Sequence, residues 1–316
     1  MTGVRAKGRR AVVMGYHGMG CLGLEALLRH DYEVAAVLTH RDDPHEQVWW
    51  PSLAELASCR GIPVHFPATM KDPAAFEVVS SLAPDFIFSF YFRFMIPETV
   101  LACARRGALN LHGSLLPRYR GRAPVNWVLV NGETETGVSL HYMVAKPDAG
   151  PLVDQERVAI AFEDTAFTLF GKLEAAAGRL LDRALPALRD GTAVARALDL
   201  SLGSYFGGRR PEDGRIDWSW PADRIYNLVR AVTHPYPGAF TEVDGSRLYV
   251  WWGLPERETA GAPPGTIAAV ERDGLWVSAG QGALRLVTLQ LEGQPELPAP
   301  ALARSRGWLP GRRLGE

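Results

Sequence analysis

Residues 10–29 read RAVVMGYHGMGCLGLEALLR. The apolar run AVVM predicts a strand, and CLGLEALLRH, residues 21–30, predicts a helix. Between them, Gly18, Gly20 and Gly23 spell G-x-G-x-x-G, the dinucleotide-binding fingerprint in its expected setting. The glycines are expected to form a tight turn lining a binding edge, where a helix N-terminus favours an anionic group such as a nucleotide phosphate. Tyr16 and His17 are then candidates for substrate contact. A nicotinamide oxidoreductase also wants an acidic residue about 20 positions on, at the end of the second strand. That strand ends LTHR, and Asp42 and Asp43 come only beyond it.

Outward from this unit the pattern repeats. YEVAAVLTH, IPVHF, PDFIFSFYF and ALNLH read as strands. SLAELASCRG, DPAAFEVVSSL and IPETVLACARRG read as helices, the first with Ser52 as N-cap and Gly61 as stop. Strand–helix alternation predicts an α/β fold with a doubly wound, mostly parallel sheet. After Gly113 come a loop, SLLPRYRGR, a short helix, APVNWVLVNG, and two strands, TGVSLHYMV and PLVDQERVAI. A long amphipathic helix over 164–191 follows, with Asp164 as its expected cap. The first domain is expected over 1–200. From about residue 205, glycine, proline and short β-prone runs predict a small all-β, barrel-like (OB-like) domain over 205–316.

The bulk composition is that of a globular chain: 316 residues, 47% hydrophobic, 22% charged, formal net charge -1. A protein that grips a polyanion usually carries a basic excess. From residue 205 onward there are thirteen arginines, no lysine and thirteen acidic residues, so nucleic acid is not favoured as a partner. Cys21, Cys59 and Cys103 lie far apart, with no zinc spacing, and no metal is expected. The start, MTGVRAKGRR, is basic and is expected to be loose. No apolar run reaches membrane-spanning length, so a cytoplasmic protein with no membrane partner is expected.

The chemistry is concentrated in ALNLHGSLLPRYRGRAPVNW. Asn110 and His112 are two apart on a predicted strand, so amide and imidazole project from one face at its C-terminal end. Ligands of open α/β sheets bind at that edge. Asn-x-His alone is a weak pattern, and a histidine at a strand end is commonly structural. Downstream, Asp148 in AKPDAG supplies a carboxylate that could orient the imidazole.

The segment N-L-H-G-S-L-L-P-x-Y-R-G-x-x-P-x-x-W, then G-E-x-x-T-G-V-S-L-H and D-A-G, resembles the folate-dependent formyltransferase family. The likeness also takes in YHGMGCLG, THRDDP and FSFYFR, and more weakly FGGRRPEDG and RAVTHPYPGAF. It implies a Rossmann-like formyltransferase domain and N10-formyltetrahydrofolate as co-substrate. It also implies Asn110, His112 and Asp148 as the catalytic set. Phe94, Met95 and Ile96 would form the pterin-side wall, with plain core packing as the competing reading. Arg122 would contact the folate. Val144, Ala145, Lys146, Pro147 and Asp148 would form the folate loop, Pro147 being a departure within it.

Within the family the chain is most similar to the UDP-4-amino-4-deoxy-L-arabinose formyltransferase domain of a bifunctional polymyxin-resistance enzyme. That implies a nucleotide-sugar acceptor and a place in lipid A modification. At 316 residues, the chain is expected to lack that enzyme's second half. Methionyl-tRNA and other UDP- or dTDP-amino sugars are the alternative acceptors. Arg209 and Arg210 are either pyrophosphate ligands or a surface pair. The oligomeric state is left open.

Overall fold

The computed structural model describes residues 9–44, 46–256 and 261–315. The expected loose start therefore lies, for residues 1–8, outside the described residues. Contacts divide the chain into two compact units. The first holds the chain through Pro124, Glu135–Ala159 and Gly171–Phe206. The second holds Gly207 onward together with Val125–Thr134 and Ile160–Phe170, two segments that the sequence reading grouped with residues 1–200.

Among the described residues the first unit carries nine strands. They are β1 (Arg10–Gly15), β2 (Glu33–Leu38), β3 (Val64–His65), β4 (Phe86–Phe90), β5 (Gly107–His112), β6 (Arg120–Gly121), β7 (Glu135–Tyr142), β8 (Leu152–Ala159) and β9 (Tyr205–Phe206). Seven form one sheet in the order β3-β2-β1-β4-β5-β7-β8, and β6 pairs separately with β9. Strands β3 to β5 run parallel, whereas β7 is antiparallel to both β5 and β8. Among the described residues the helices are α1 (His17–Arg29), α2 (Leu53–Cys59), α3 (Pro73–Leu82), α4 (Glu98–Leu101), α5 (Pro124–Val130), α6 (Ala166–Asp190), α7 (Ala222–Val232) and α8 (Ala299–Ser305).

Strand alternation explains why the sheet is covered on both faces. Phe86, Phe88 and Phe90 point one way and are wholly or almost wholly buried, with Tyr32 edge-on to the first two. Ile87 points the other way, into a cluster with Val12, Met14, Leu38, Met70 and Val79. A strand apolar on both faces must be interior. The helix signals are also chemical. Ser52 Oγ accepts from Glu55 N (3.2 Å), and Asp72 Oδ1 accepts from Ala74 N (2.9 Å) with Pro73 just inside α3.

The glycine fingerprint is where the expectation fails. Gly18, Gly20 and Gly23 are not a turn; they lie inside α1, whose first residue is His17. The one left-handed residue at the junction is His17 itself, with φ 67. The glycines are there for close packing. A Cβ on Gly23 would overlap the Phe90 ring, one on Gly18 would overlap the Glu174 carboxylate, and one on Gly20 would come within 2.9 Å of Leu53 Cδ2. Glycine therefore lets α1 lie directly on β4 and α2. An alanine normally stabilises a helix relative to glycine by about 1 kcal/mol. Here Gly23→Ala is expected to destabilise by about 1–3 kcal/mol, because the added methyl overpacks against a buried ring. Urea unfolding of the pair of proteins measures the sign.

Two further expectations are corrected. The cap of α6 is Thr165, not Asp164: Thr165 Oγ1 accepts from Thr168 N (3.3 Å), while Asp164 Oδ2 accepts from Ala161 N (2.7 Å) and so braces the preceding turn. The second unit is not all-β, because α7 and α8 accompany its strands. Ile225, Tyr226, Leu228, Val229 and Val232 recur at helical spacing and are all buried. The strands are β10 (Ala239–Val243), β11 (Ser246–Glu256), β12 (Ile267–Val270), β13 (Leu275–Ser278), β14 (Ala283–Leu291) and β15 (Leu297–Pro298). They make an antiparallel sheet in the order β10-β11-β14-β13-β12, with β15 on β14. The β10–β11 turn uses Asp244 (φ 52) and Gly245 (φ 73), two left-handed residues as a tight hairpin requires. Among the described residues no helix is long and apolar enough to cross a membrane.

Candidate active site

Strand β5 carries Asn110 and His112 on one face, at its C-terminal end. Its antiparallel neighbour β7 sets His141 opposite Asn110 and Ser139 opposite His112. Cross-strand partners share a face, so the sheet delivers a second histidine that the sequence reading missed. Asp148 arrives from the loop after β7 and closes the group.

Asp148 is the hub. Its Oδ2 accepts from Gly121 N (2.8 Å) and its Oδ1 accepts from Asn110 Nδ2 (3.3 Å). The same Oδ1 lies 3.7 Å from His112 Nδ1 and 3.4 Å from His141 Nε2. Burial alone would raise the Asp148 pKa. The His112 imidazole, a hydrogen bond from His141 and the Gly121 N–H outweigh it and hold the carboxyl well below the usual carboxylate range. Asp148 sits in left-handed backbone (φ 51), a conformation that aspartate tolerates better than most side chains.

His112 is buried, and its tautomer follows from one partner. Nε2 lies 2.8 Å from Tyr119 O, which can only accept. Nε2 therefore carries the proton, and in the neutral ring Nδ1 presents a lone pair beside Asp148. The loop that supplies Tyr119 O is pinned from below. Ser114 Oγ donates to Arg118 O (2.7 Å), Ser139 Oγ donates to Ser114 O (2.6 Å), and Leu116 N donates to Ser139 Oγ (3.1 Å). Tyr119 N donates to Ser204 Oγ (2.8 Å), and the Tyr119 ring stacks on Phe206 at 5.0 Å. The sequence S-L-L-P-R-Y-R-G thus builds the carbonyl that fixes the histidine.

The other expected residues divide. Phe94 and Ile96 are partly buried against the Val12–Met14–Ile87 cluster, as the core-packing reading expects, whereas Met95 is 64% exposed. Val144, Ala145 and Lys146 are exposed on the loop that ends at Asp148. Arg122 is exposed; its N donates to Phe206 O (3.0 Å), and its guanidinium makes no hydrogen bond or ion pair among the described residues. Arg209 and Arg210 belong to the second unit. Arg209 Nη2 donates to Asp213 O (2.8 Å) and its guanidinium lies 4.6 Å over the Trp127 ring; Arg210 is exposed.

Tyr16 and His17 are not with the Asn110 group but in an aromatic cluster at the ends of β1 and β2. Tyr16 is buried and its Oη donates to Asp42 Oδ1 (2.5 Å); burial, then Asp42, pushes its pKa up to about 12. His17 stacks on Trp50 at 4.3 Å, and burial, then Arg93, pushes its pKa down to about 3. Beside them is a cleft of about 290 Å³ lined by Tyr16, His40, Asp42, Trp50, Ser52 and Phe66. Asp42, wanted for a nicotinamide ribose, is instead the acceptor of Tyr16.

A strand-borne amide and imidazole thus face a loop carboxylate on this mostly parallel sheet. The chain belongs to the formyl transferase family. The pattern of that family, described as "Formyl transferase", matches residues 28–185, and "Formyl transferase, C-terminal domain" matches 209–307. Among solved structures, the N-formyltransferase from Helicobacter canadensis, in complex with folinic acid and dTDP-3-aminofucose, is similar at 19% identity and TM-score 0.70, over 87% of this chain and 97% of that one. WlaRD, a sugar 3N-formyl transferase solved with dTDP and 5-N-formyl-THF, is similar at 18% identity and TM-score 0.67, over 92% and 100%. HypX from Aquifex aeolicus is similar at 17% identity and TM-score 0.64; the match takes in 95% of this chain but only 48% of HypX.

Proposed function

We propose that the protein transfers the formyl group of N10-formyltetrahydrofolate to the amine of a nucleotide-linked amino sugar, and that the sugar nucleotide is UDP-4-amino-4-deoxy-L-arabinose. The observation that carries the reading is the Asp148 carboxylate held between the His112 and His141 rings and the Asn110 amide. The acceptor class draws support from the sugar N-formyltransferases that this fold resembles. The balanced charge from residue 205 onward argues against tRNA, since phosphate contacts dominate nucleic-acid binding.

In this reading the neutral amine attacks the formyl carbon and forms the new C–N bond. His112 Nδ1 takes the proton that the amine must lose, and an N–H of Asn110 stabilises the oxyanion. Collapse breaks the bond to N10, which takes the proton from His112, and tetrahydrofolate leaves. Asp148 stays ionised throughout and stabilises the imidazolium. Phe94, Met95 and Ile96 form the pterin wall, residues 144–147 form the opposing loop, and the Arg122 guanidinium faces the folate. Arg210, exposed, is the better placed of the arginine pair for a pyrophosphate, because Arg209 already serves Asp213 O and Trp127.

The deciding assay offers N10-formyltetrahydrofolate with a panel of UDP- and dTDP-amino sugars and methionyl-tRNA, and reads the mass gain of one formyl group. Formylation of the arabinose compound supports the reading. Formylation of the tRNA alone would overturn the acceptor, and no transfer to any amine would overturn the activity. Asn110→Ala is expected to lower kcat by about 10²–10³-fold, the usual effect of removing one oxyanion donor, with folate affinity retained.

A further inference from the structure

Among the described residues two arginines are buried, Arg230 at 5% exposure and Arg120 at 8%. They are partnered very differently. Arg230 Nε donates to Asn227 Oδ1 (2.9 Å) and its Nη1 donates to Ala161 O (3.1 Å). That is the ordinary structural use of a buried guanidinium. The Arg120 guanidinium makes no hydrogen bond and no ion pair among the described residues. Its Nε is sealed from solvent with no acceptor, while Nη1 and Nη2 are not sealed. A guanidinium cannot shed its proton, and a charge withdrawn from water without a partner is costly. Packing alone does not account for a cation here, since an apolar side chain would fill the place without that cost.

The position matters as much as the charge. Arg120 opens β6. The peptide group before it presents Tyr119 O, 2.8 Å from His112 Nε2, and the peptide group after it presents Gly121 N, which donates to Asp148 Oδ2 (2.8 Å). One residue therefore carries both backbone contacts of the His112–Asp148 pair. Its own N donates to Ser204 O (3.0 Å). On β9 its register partner is Tyr205, 57% exposed, so the face that the two side chains share opens to solvent. A fork of two Nη groups presented end-on fits the paired oxygens of a phosphate or a carboxylate.

We propose that Arg120 is an oxyanion receptor beside the His112–Asp148 pair, a reading that rests on formyl transfer as the activity. The oxyanion is the diphosphate of the sugar nucleotide or a glutamate carboxylate of the folate. Binding it supplies the missing partner of the guanidinium and anchors the residue that holds Tyr119 O and Gly121 N in place.

The test is equilibrium binding by calorimetry, wild type against Arg120→Met, which keeps an unbranched stem. UDP and dTDP are paired with uridine and thymidine. The folate 5-formyltetrahydrofolate is paired with the methylamide of 5-formyltetrahydropteroic acid, which lacks the glutamate. Arg120→Met is expected to weaken a charged ligand by about 10–100-fold, the worth of hydrogen bonds to a charged group, and to leave its uncharged counterpart unchanged. Loss on the nucleotide pair identifies the diphosphate as the oxyanion; loss on the folate pair identifies the carboxylate. Arg120→Lys, a point charge without the fork, is expected to recover only part of the loss. Without ligand, Arg120→Met is expected to melt at or above the wild-type temperature, since the unpaired charge is gone. Unchanged affinity for every charged ligand, equal loss for both members of a pair, or a melting temperature lowered by several degrees overturns the proposal. If the wild-type protein formylates no amine, the functional reading fails, and these binding pairs still decide whether Arg120 receives an oxyanion.

Discussion

Asp148→Asn is expected to lower kcat by about 10³–10⁴-fold while leaving the fold intact. A carboxylate that orients a catalytic imidazole has an effect of this size when it becomes an amide. The reason here is directional. Gly121 N donates to Asp148 Oδ2, so the amide of the variant must turn its oxygen to Gly121 and its NH2 group to the place of Oδ1. That NH2 would face the His112 Nδ1 lone pair, 3.7 Å from Oδ1, and occupy the site that must receive the proton. It would also oppose the Asn110 NH2 group, donor against donor. Asparagine tolerates the left-handed backbone at this position as well as aspartate does, so the circular dichroism spectrum should be unchanged. Single-turnover formyl transfer measures the loss; a variant within tenfold of wild type would remove Asp148 from the mechanism.

The same substitution has a signature in stability against pH. The folded carboxyl titrates below its unfolded value, so Asp148 contributes stability above the ordinary carboxyl pKa of about 3.9. That contribution is withdrawn as pH falls from there toward the folded value. The stability of the wild type should therefore fall more steeply with decreasing pH below about 3.9 than that of the variant.

His112→Gln is expected to lower kcat by about 10²–10⁴-fold, the range for a lost general base. Glutamine can still donate to Tyr119 O, so the loop tie seen at 2.8 Å survives while the basic nitrogen is lost. Thermal unfolding and donor affinity should change little. A rate within threefold of wild type would move the base elsewhere.

The Asn110 and His112 pair on β5 was legible in the sequence because a strand has period two: N-L-H puts amide and imidazole on one face whatever the surroundings. The strand–helix alternation was legible for the same kind of reason, since apolar spacing and caps such as Ser52 and Asp72 act locally. The glycine fingerprint was read in its letters but not in its cause. What Gly23 avoids is the ring of Phe90, 67 positions later, and no local rule reports such a neighbour. The α7 helix was hidden by the glycine- and proline-rich sequence around it, although its own apolar spacing was readable.

By itself, then, the sequence determined the α/β order, the Asn110–His112 face and the carboxylate that follows in AKPDAG. Only the tertiary structure decided that Asp148 reaches both, that Tyr119 O fixes the His112 tautomer, and that His141 stands opposite Asn110. Those three depend on antiparallel register and on a loop pinned by Ser114 and Ser139. Register sets which residues meet across strands, and it is fixed by long-range pairing that no stretch of sequence carries alone.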